Sequence, residues 1–266
     1  MELETQYSTG LSQPAIEQAL VAAGKDLDHL VAADLAVLED FHTMGRLATG
    51  GLADLAKITA DDAVLDAGSG IGGTARFLAD RYGCHVTAVD LTDEYCRTAQ
   101  RLNDLVGLTG IAVHQGDVTR LPFPDAAFTA VFSQHVQMNV ADKAALYREA
   151  RRVLAPGGRL AIWDITAGEP GPLPYPLPWA DRAEFSHLVP ADGLRETVTA
   201  AGFTLEDWTD LTATAAEVMQ AFLALPPNPL GLHTFVADFP AKAANLAQAL
   251  SSGRVRAIRG LARVAP

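Results

Sequence analysis

The chain has 266 residues, 49% of them apolar, and a formal net charge of −12. That length holds one full α/β domain with additions, and the apolar fraction is enough to bury a core. An acidic chain with no long basic stretch lacks the stripe that neutralises phosphates in nucleic-acid binders, and it has no affinity for anionic membrane surfaces. The opening residues Met-Glu-Leu-Glu-Thr-Gln show no secretory signal, and no run reaches the roughly 18 apolar residues of a membrane span, so a cytoplasmic protein is expected. Cys84 and Cys96 are the only cysteines and form no ligand pair, so two reduced thiols are expected, with no disulfide and no metal.

Taken in chain order, residues 11–23 read as a helix with Leu11, Ile16, Leu20 and Val21 on one side and Gly24 to close it. Helical stretches at 34–41 and 45–57 follow, giving an N-terminal helical cap over 1–60 and a main domain over 61–266. From Ala63, strands (63–67, 85–90, 111–115, 127–132, 158–165) alternate with helices (73–82, 93–106, 142–154), the pattern of a doubly wound, mostly parallel α/β sheet. Residues 168–178 carry five prolines' worth of interruption in the run Gly-Glu-Pro-Gly-Pro-Leu-Pro-Tyr-Pro-Leu-Pro, which neither helix nor ladder tolerates. A lid insertion near 167–190 is expected there, with Tyr175 and Trp179 shaping an acceptor pocket. A helix at 191–201, a strand at 203–211, helices at 214–225 and 240–251 and a strand at 254–264 complete the chain.

The most informative stretch is Val64-Leu65-Asp66-Ala67-Gly68-Ser69-Gly70-Ile71-Gly72-Gly73. An apolar strand breaks into a glycine turn and a helix begins, which builds a nucleotide crevice at the carboxyl edge of a parallel sheet. Gly68, Gly70 and Gly73 also satisfy a dinucleotide pattern. Asp66 argues against that reading, because a carboxylate before the turn repels a pyrophosphate, whereas it accepts hydrogen bonds from a cationic ammonium. The alternative for Asp66 is a cap on the following turn. Asp90 ends the second strand, where an acid binds ribose hydroxyls, and Asp117 follows the third, where it suits an adenine amino group or a plain surface turn.

These residues, with Leu121-Pro122-Phe123-Pro124-Asp125, Phe128 to Ser133 and Leu154-Ala155-Pro156-Gly157-Gly158-Arg159-Leu160, occur in an order and spacing that resembles a class I S-adenosylmethionine-dependent methyltransferase. The resemblance is to the small-molecule kind, methyltransferase type 11 and sarcosine/dimethylglycine methyltransferase-like, and it covers residues 40–165 well. It implies a seven-stranded Rossmann-like sheet and S-adenosylmethionine as cofactor, leaving S-adenosylhomocysteine. It also implies cofactor contacts from Asp66, Gly68, Ser69, Gly70, Gly72, Asp90, Leu91, Asp117, Val118 and Ser133.

Two histidines are the candidates for catalysis. His135, in Ser133-Gln134-His135-Val136-Gln137-Met138-Asn139, stands where relatives tend to carry an acid, in the loop that faces the transferred methyl. It is read either as a general base or as a residue that orders the loop. His42, in Phe41-His42-Thr43-Met44-Gly45, resembles a His-x-Gly segment that closes over the methionine end of the cofactor, and is read as cofactor contact and lid. Gln134, His135 and Asn139 are candidates for acceptor binding, since amides both donate and accept. Tyr7 is either part of the same lid or a loose terminus. The expected partner is a small-molecule acceptor methylated on oxygen or nitrogen, with the protein a monomer or homodimer. Cyclopropane-synthase-like C-methylation and a non-catalytic cofactor-binding module stand as alternatives. A nicotinamide-dependent oxidoreductase is set aside, because no Tyr-x-x-x-Lys pair follows the fourth strand.

Overall fold

The computed structural model describes residues 7, 10–39, 41–226 and 228–265. Seven strands form one sheet: β1 (Ala63–Ala67), β2 (His85–Asp90), β3 (Ile111–Gln115), β4 (Phe128–Gln134), β5 (Leu154–Ala167), β6 (Phe203–Asp210) and β7 (Val255–Val264). Their order is β3-β2-β1-β4-β5-β7-β6, with β1 to β5 parallel and β7 antiparallel to both β5 and β6. Strand order reverses between β1 and β4, so the crevice of this doubly wound sheet opens at the carboxyl ends of those strands.

Helices α4 (Gly73–Tyr82), α5 (Asp93–Leu105) and α6 (Lys143–Val153) are the crossovers of the parallel half, while α7 (Ala191–Ala200), α8 (Thr212–Leu223) and α9 (Phe239–Ser251) belong to the second half. One apolar cluster covers one face of the sheet, centred on Val64, Phe132 and Trp163. Another covers the opposite face around Leu65, Val131 and Tyr147. Burial on both faces explains why β1 and β4 read as nearly continuous apolar runs.

The N-terminal helices α1 (Ser12–Ala22), α2 (Ala32–Glu39) and α3 (Gly45–Ala56) lie ahead of the sheet in the chain. Ile16, Leu20, Leu35 and Leu38 are fully buried against Ile71, Tyr95 and Leu102 and against the segment carrying Leu230, Phe235 and Val236. The expected face of α1 was too wide: Leu11 is 64% and Val21 57% exposed, so only Ile16 and Leu20 pack. Ser12 anchors this helix, its backbone N–H and its hydroxyl both donating to Glu94 Oε1 on α5.

Several element bounds differ by a few residues from those read in the sequence, β5 the most. Strand β5 starts at Leu154, paired with Phe128, and a register irregularity before Ala130 absorbs Pro156-Gly157, where Gly157 has φ +73°. The expected lid insertion is packed down instead. Leu177, Trp179 and Ala180 are buried in the first core cluster, Asn245 Nδ2 of α9 donates to the Pro176 carbonyl at 2.9 Å, and Lys242 pairs with Asp181 at 2.9 Å. No helix among the described residues is long and apolar enough to cross a membrane.

Candidate active site

A cavity of about 400 Å³ opens where β1, β2, β3 and β4 end. The turn after β1 forms its floor. Gly68 N–H and Ser69 N–H donate to the Val89 carbonyl at 2.8 and 2.9 Å, tying the turn to β2. Gly68 and Gly70 have φ of +82° and +54°, a region that favours glycine. They differ in surroundings: a Cβ on Gly68 would collide with Val136, whereas a Cβ on Gly70 would meet no protein atom within 4 Å. Gly70 is therefore bare toward the cavity. A Cβ on Gly72 would sit 2.9 Å from Arg76 Nη1, so Gly72 makes room for a protein side chain and does not line the cavity.

Asp66 lies at the tip of β1, 2% exposed, with its Oδ2 lacking any hydrogen-bond partner among the described residues. Burial, with the nearby Asp90 charge, pushes its carboxyl up to about 7. Asp90 is held rigidly, its two carboxylate oxygens accepting from Gly70 N–H at 2.8 Å and Thr92 N–H at 2.9 Å. Each oxygen retains a second lone pair for a ligand hydroxyl. Burial raises Asp90 as well, against those two backbone bonds. Asp117, Leu91 and Val118 also line the cavity; Asp117 Oδ1 accepts from the Thr119 backbone N–H at 2.8 Å and hydroxyl at 2.7 Å.

The opposite wall comes from the segment before α3 and the loop after β4. His42 Nε2 lies 3.1 Å from Thr49 Oγ1, and Gln134 Nε2 donates to Thr74 Oγ1 at 2.6 Å, with Thr49 between the two. Burial drives the His42 imidazole down to about 4. His135 stands 5.9 Å from it, centroid to centroid, and burial lowers it well below its ordinary value, with His42 adding to the effect. Both imidazoles are neutral at pH 7. The backbone N–H and hydroxyl of Thr43 lie 3.4 and 3.1 Å from His135 Nε2. A backbone N–H only donates, so Nε2 is the acceptor and the ring proton sits on Nδ1. His135 also has φ +55° and donates its own N–H to the Trp163 carbonyl at 2.8 Å.

Behind this loop, Asp164 is fully buried and accepts from Val136 N–H at 3.2 Å and Gln137 N–H at 3.1 Å. Burial pushes it up to about 7, against those bonds. Tyr7 closes the mouth: its hydroxyl donates to Asn139 Oδ1 at 3.3 Å, and its ring meets those of Phe41 and Tyr95.

Of the residues singled out in the sequence, Asp66, Gly68, Ser69, Gly70, Asp90, Leu91, Asp117, Val118, His42, Gln134, His135 and Asn139 meet in this one cavity. Gly72, Ser133, Tyr175 and Trp179 do not line it. Ser133 is buried within β4 with its hydroxyl unpartnered among the described residues. Trp179 is 2% exposed, its Nε1 donating to Ser186 Oγ at 2.9 Å, and Tyr175 packs on the same core: the bulk of these rings is better buried there than at an edge.

Sequence reasoning missed Glu39 and Arg76. Glu39 Oε2 takes Arg76 Nε at 2.6 Å and its Oε1 takes Arg46 Nη2 at 2.5 Å, and both side chains of the Glu39–Arg76 pair are fully buried. Arg76 also donates to Asn103 Oδ1 at 2.9 Å. This pair welds the end of α2 to the glycine turn. Phe41 and Phe235 of the lining were missed too.

Residues 65–162 match the model of a methyltransferase domain. Among curated proteins, the chain is 30% identical over 175 residues to a glycine/sarcosine/dimethylglycine N-methyltransferase of Actinopolyspora halophila, covering 65% of this chain and 31% of that one. It is 33% identical over 153 residues to a sarcosine/dimethylglycine N-methyltransferase of Halorhodospira halochloris, covering 56% and 55%. Residues 65–162 carry a methyltransferase domain. The chain spans less than two thirds of the length of either relative. In fold it is similar to geranyl diphosphate C-methyltransferase from Streptomyces coelicolor A3(2), with a TM-score of 0.71, 17% identity and coverage of 99% of this chain and 98% of that one. The methyltransferase domain thus spans the glycine turn, β2, β3, β4 and most of β5, the elements that build the cavity floor.

Proposed function

We propose that this protein transfers a methyl group from S-adenosylmethionine to an oxygen or nitrogen of a small molecule, leaving S-adenosylhomocysteine. The observation that carries the reading is Asp66 Oδ2: a buried, unpartnered carboxylate oxygen at a glycine turn whose Gly70 is bare toward the cavity. A buried carboxylate with one oxygen unpartnered costs stability unless a cation arrives to pair with it. The named relatives are methyltransferases, and the solved complex of the Streptomyces enzyme with S-adenosyl-L-homocysteine supports this cofactor.

Bound S-adenosylmethionine supplies a methyl carbon already activated by a sulfonium. The chain's own contribution is to bind, orient and exclude water, where alignment is worth up to roughly 7–11 kcal/mol in ideal intramolecular cases. Asp66 accepts from the ammonium, Asp90 from ribose hydroxyls and Asp117 from the adenine amino group, with Gly68, Ser69, Leu91 and Val118 as the surrounding contacts. Residues 1–60 act as the cap, Tyr7, Phe41 and His42 forming the part of it that covers the cavity. Gln134, Asn139 and His135 orient the acceptor. For His135 the bonds from Thr43 favour loop ordering over proton abstraction, because the basic nitrogen is already engaged. His42 keeps its role as a cofactor contact. We place the protein in the cytoplasm, as a monomer or homodimer acting on a small molecule, with the net charge of −12 speaking against nucleic acid.

The test is transfer of labelled methyl from S-adenosylmethionine into two separate pools, small amines and small phenols or alcohols. Label in one pool establishes transfer and the acceptor atom together. Label in neither pool, with S-adenosylhomocysteine still binding tightly, would sink transfer to these acceptors and leave a binding module.

A further inference from the structure

The charges and rings around the cavity bear on what the acceptor is, an inference that rests on the methyl-transfer reading. No lysine or arginine lines the cavity, and none stands at a position outside the described residues. Among the described residues five carboxylates do: Glu39, which is paired with Arg76 and Arg46, and Asp66, Asp90, Asp117 and Asp142. The two histidines that face it are held neutral by burial. The backbone N–H groups of Val136 and Gln137, which could have cradled an anion, are already given to Asp164. Lys143, the nearest cation along the loop, spends its ammonium on the Val140 and His187 carbonyls. A carboxylate or phosphate on the acceptor would lose its water with no lysine or arginine of the lining to replace it.

What the cavity offers instead is rings. Tyr7, Phe41, Tyr95 and Phe235 form a continuous wall, with Tyr7 touching Phe41 and Tyr95 at centroid separations of 6.4 and 6.0 Å and Tyr95 touching Phe235 at 6.3 Å. Tilted and edge-on rings at such spacing pack well against a further ring. We infer that the acceptor is a neutral molecule with an aromatic ring, methylated on a hydroxyl or an uncharged nitrogen, and that carboxylate-bearing acceptors of the glycine and sarcosine type are rejected.

Calorimetry on the full chain saturated with S-adenosylhomocysteine tests this with matched probes at neutral pH: 2-naphthol, which is neutral, 2-naphthoate, which carries the same rings and a carboxylate, and sarcosine. The expected result is 2-naphthol binding at least about tenfold more tightly than 2-naphthoate or sarcosine, and a loss of about tenfold or more in 2-naphthol affinity in Phe41→Ala brought to the same saturation with S-adenosylhomocysteine. Equal or tighter binding of 2-naphthoate or sarcosine, or no binding of 2-naphthol, overturns the inference. Failure of S-adenosylhomocysteine itself to bind, seen before any acceptor probe is added, overturns the methyl-transfer reading and this inference with it.

Discussion

The indole Nε1 of Trp163 donates to the backbone carbonyl of Thr43 across 3.0 Å, and the bond is buried. Trp163 stands on β5 and Thr43 in the segment that follows α2, so the cap is latched to the sheet through one residue whose N–H and hydroxyl also reach His135 Nε2. The carbonyl of Trp163 in turn accepts from His135 N–H at 2.8 Å. Sheet, cap and post-β4 loop therefore hold His135 in a left-handed conformation from three directions.

A residue so held is a positioning group, and His135→Asn tests that role. Asparagine tolerates the positive φ better than other side chains. The variant is expected to keep methyl transfer within about tenfold of the wild type, whereas loss of a general base costs about 10²- to 10⁴-fold. A steady-state rate series decides it; a fall of about 10²-fold or more would restore the base. The nitrogen shifts of the ring supply an independent check, with Nδ1 expected to carry the proton and no titration near the ordinary histidine range.

The contrast between Gly68 and Gly70 separates folding from ligand binding. Gly70→Ala meets no protein atom within 4 Å, so its cost to the fold is the left-handed φ alone, about 1–2 kcal/mol. Its methyl group would enter the cavity in which we propose the cofactor binds, and affinity for S-adenosylhomocysteine is expected to fall by at least about tenfold. Gly68→Ala drives Cβ into Val136 and is expected to lose more stability than Gly70→Ala. Thermal melts with calorimetry read both effects. Full affinity in folded Gly70→Ala would place the cofactor elsewhere.

The sheet and the cavity floor were legible because their signals are local. Asp66, the glycine turn and Asp90 lie within 25 positions of one another, and strand, turn and helix each carry their own pattern. The cap was legible as helices but not as a surface. Glu39 and Arg76 pair across 37 positions, and on the sequence each looks like an ordinary solvated charge on an amphipathic helix. The proline-rich segment announced an absence of regular structure and nothing about which face it covers. The bonds from α9, Asn245 to the Pro176 carbonyl and Lys242 to Asp181, decided that.

Glu39→Gln tests the buried pair that joins cap to turn. Glutamine keeps the shape and removes the charge, leaving Arg76 fully buried without its carboxylate. Loss of one partner of a buried pair costs about 3–5 kcal/mol. Arg46→Met, on the partner whose side chain is 26% exposed, is expected to cost only about 1 kcal/mol or less. Urea unfolding of both variants measures the difference, and equal costs would show that the buried pair contributes no more than the outer one.

Proton linkage tests Asp66 directly. Burial and Asp90 push its carboxyl up to about 7, so at about pH 6 the free folded protein holds a proton that the unfolded chain has released. That proton favours the folded state below the ordinary carboxylate range, and its contribution is lost as pH rises through about 7. An ammonium pairs with the ionised form only. S-adenosylhomocysteine is therefore expected to bind more weakly at about pH 6 than at about pH 8, and to expel a proton at the lower pH. Calorimetry in two buffers of different ionisation heat reads that proton as a difference in apparent enthalpy at about pH 6 that disappears at about pH 8. Asp66→Asn is expected to remove the Asp66 proton and to weaken binding at about pH 8 by about 1–3 kcal/mol, the worth of a hydrogen bond to a charged group. Identical enthalpies in the two buffers at the lower pH, or unchanged affinity in the variant, would show that Asp66 does not hold the ammonium.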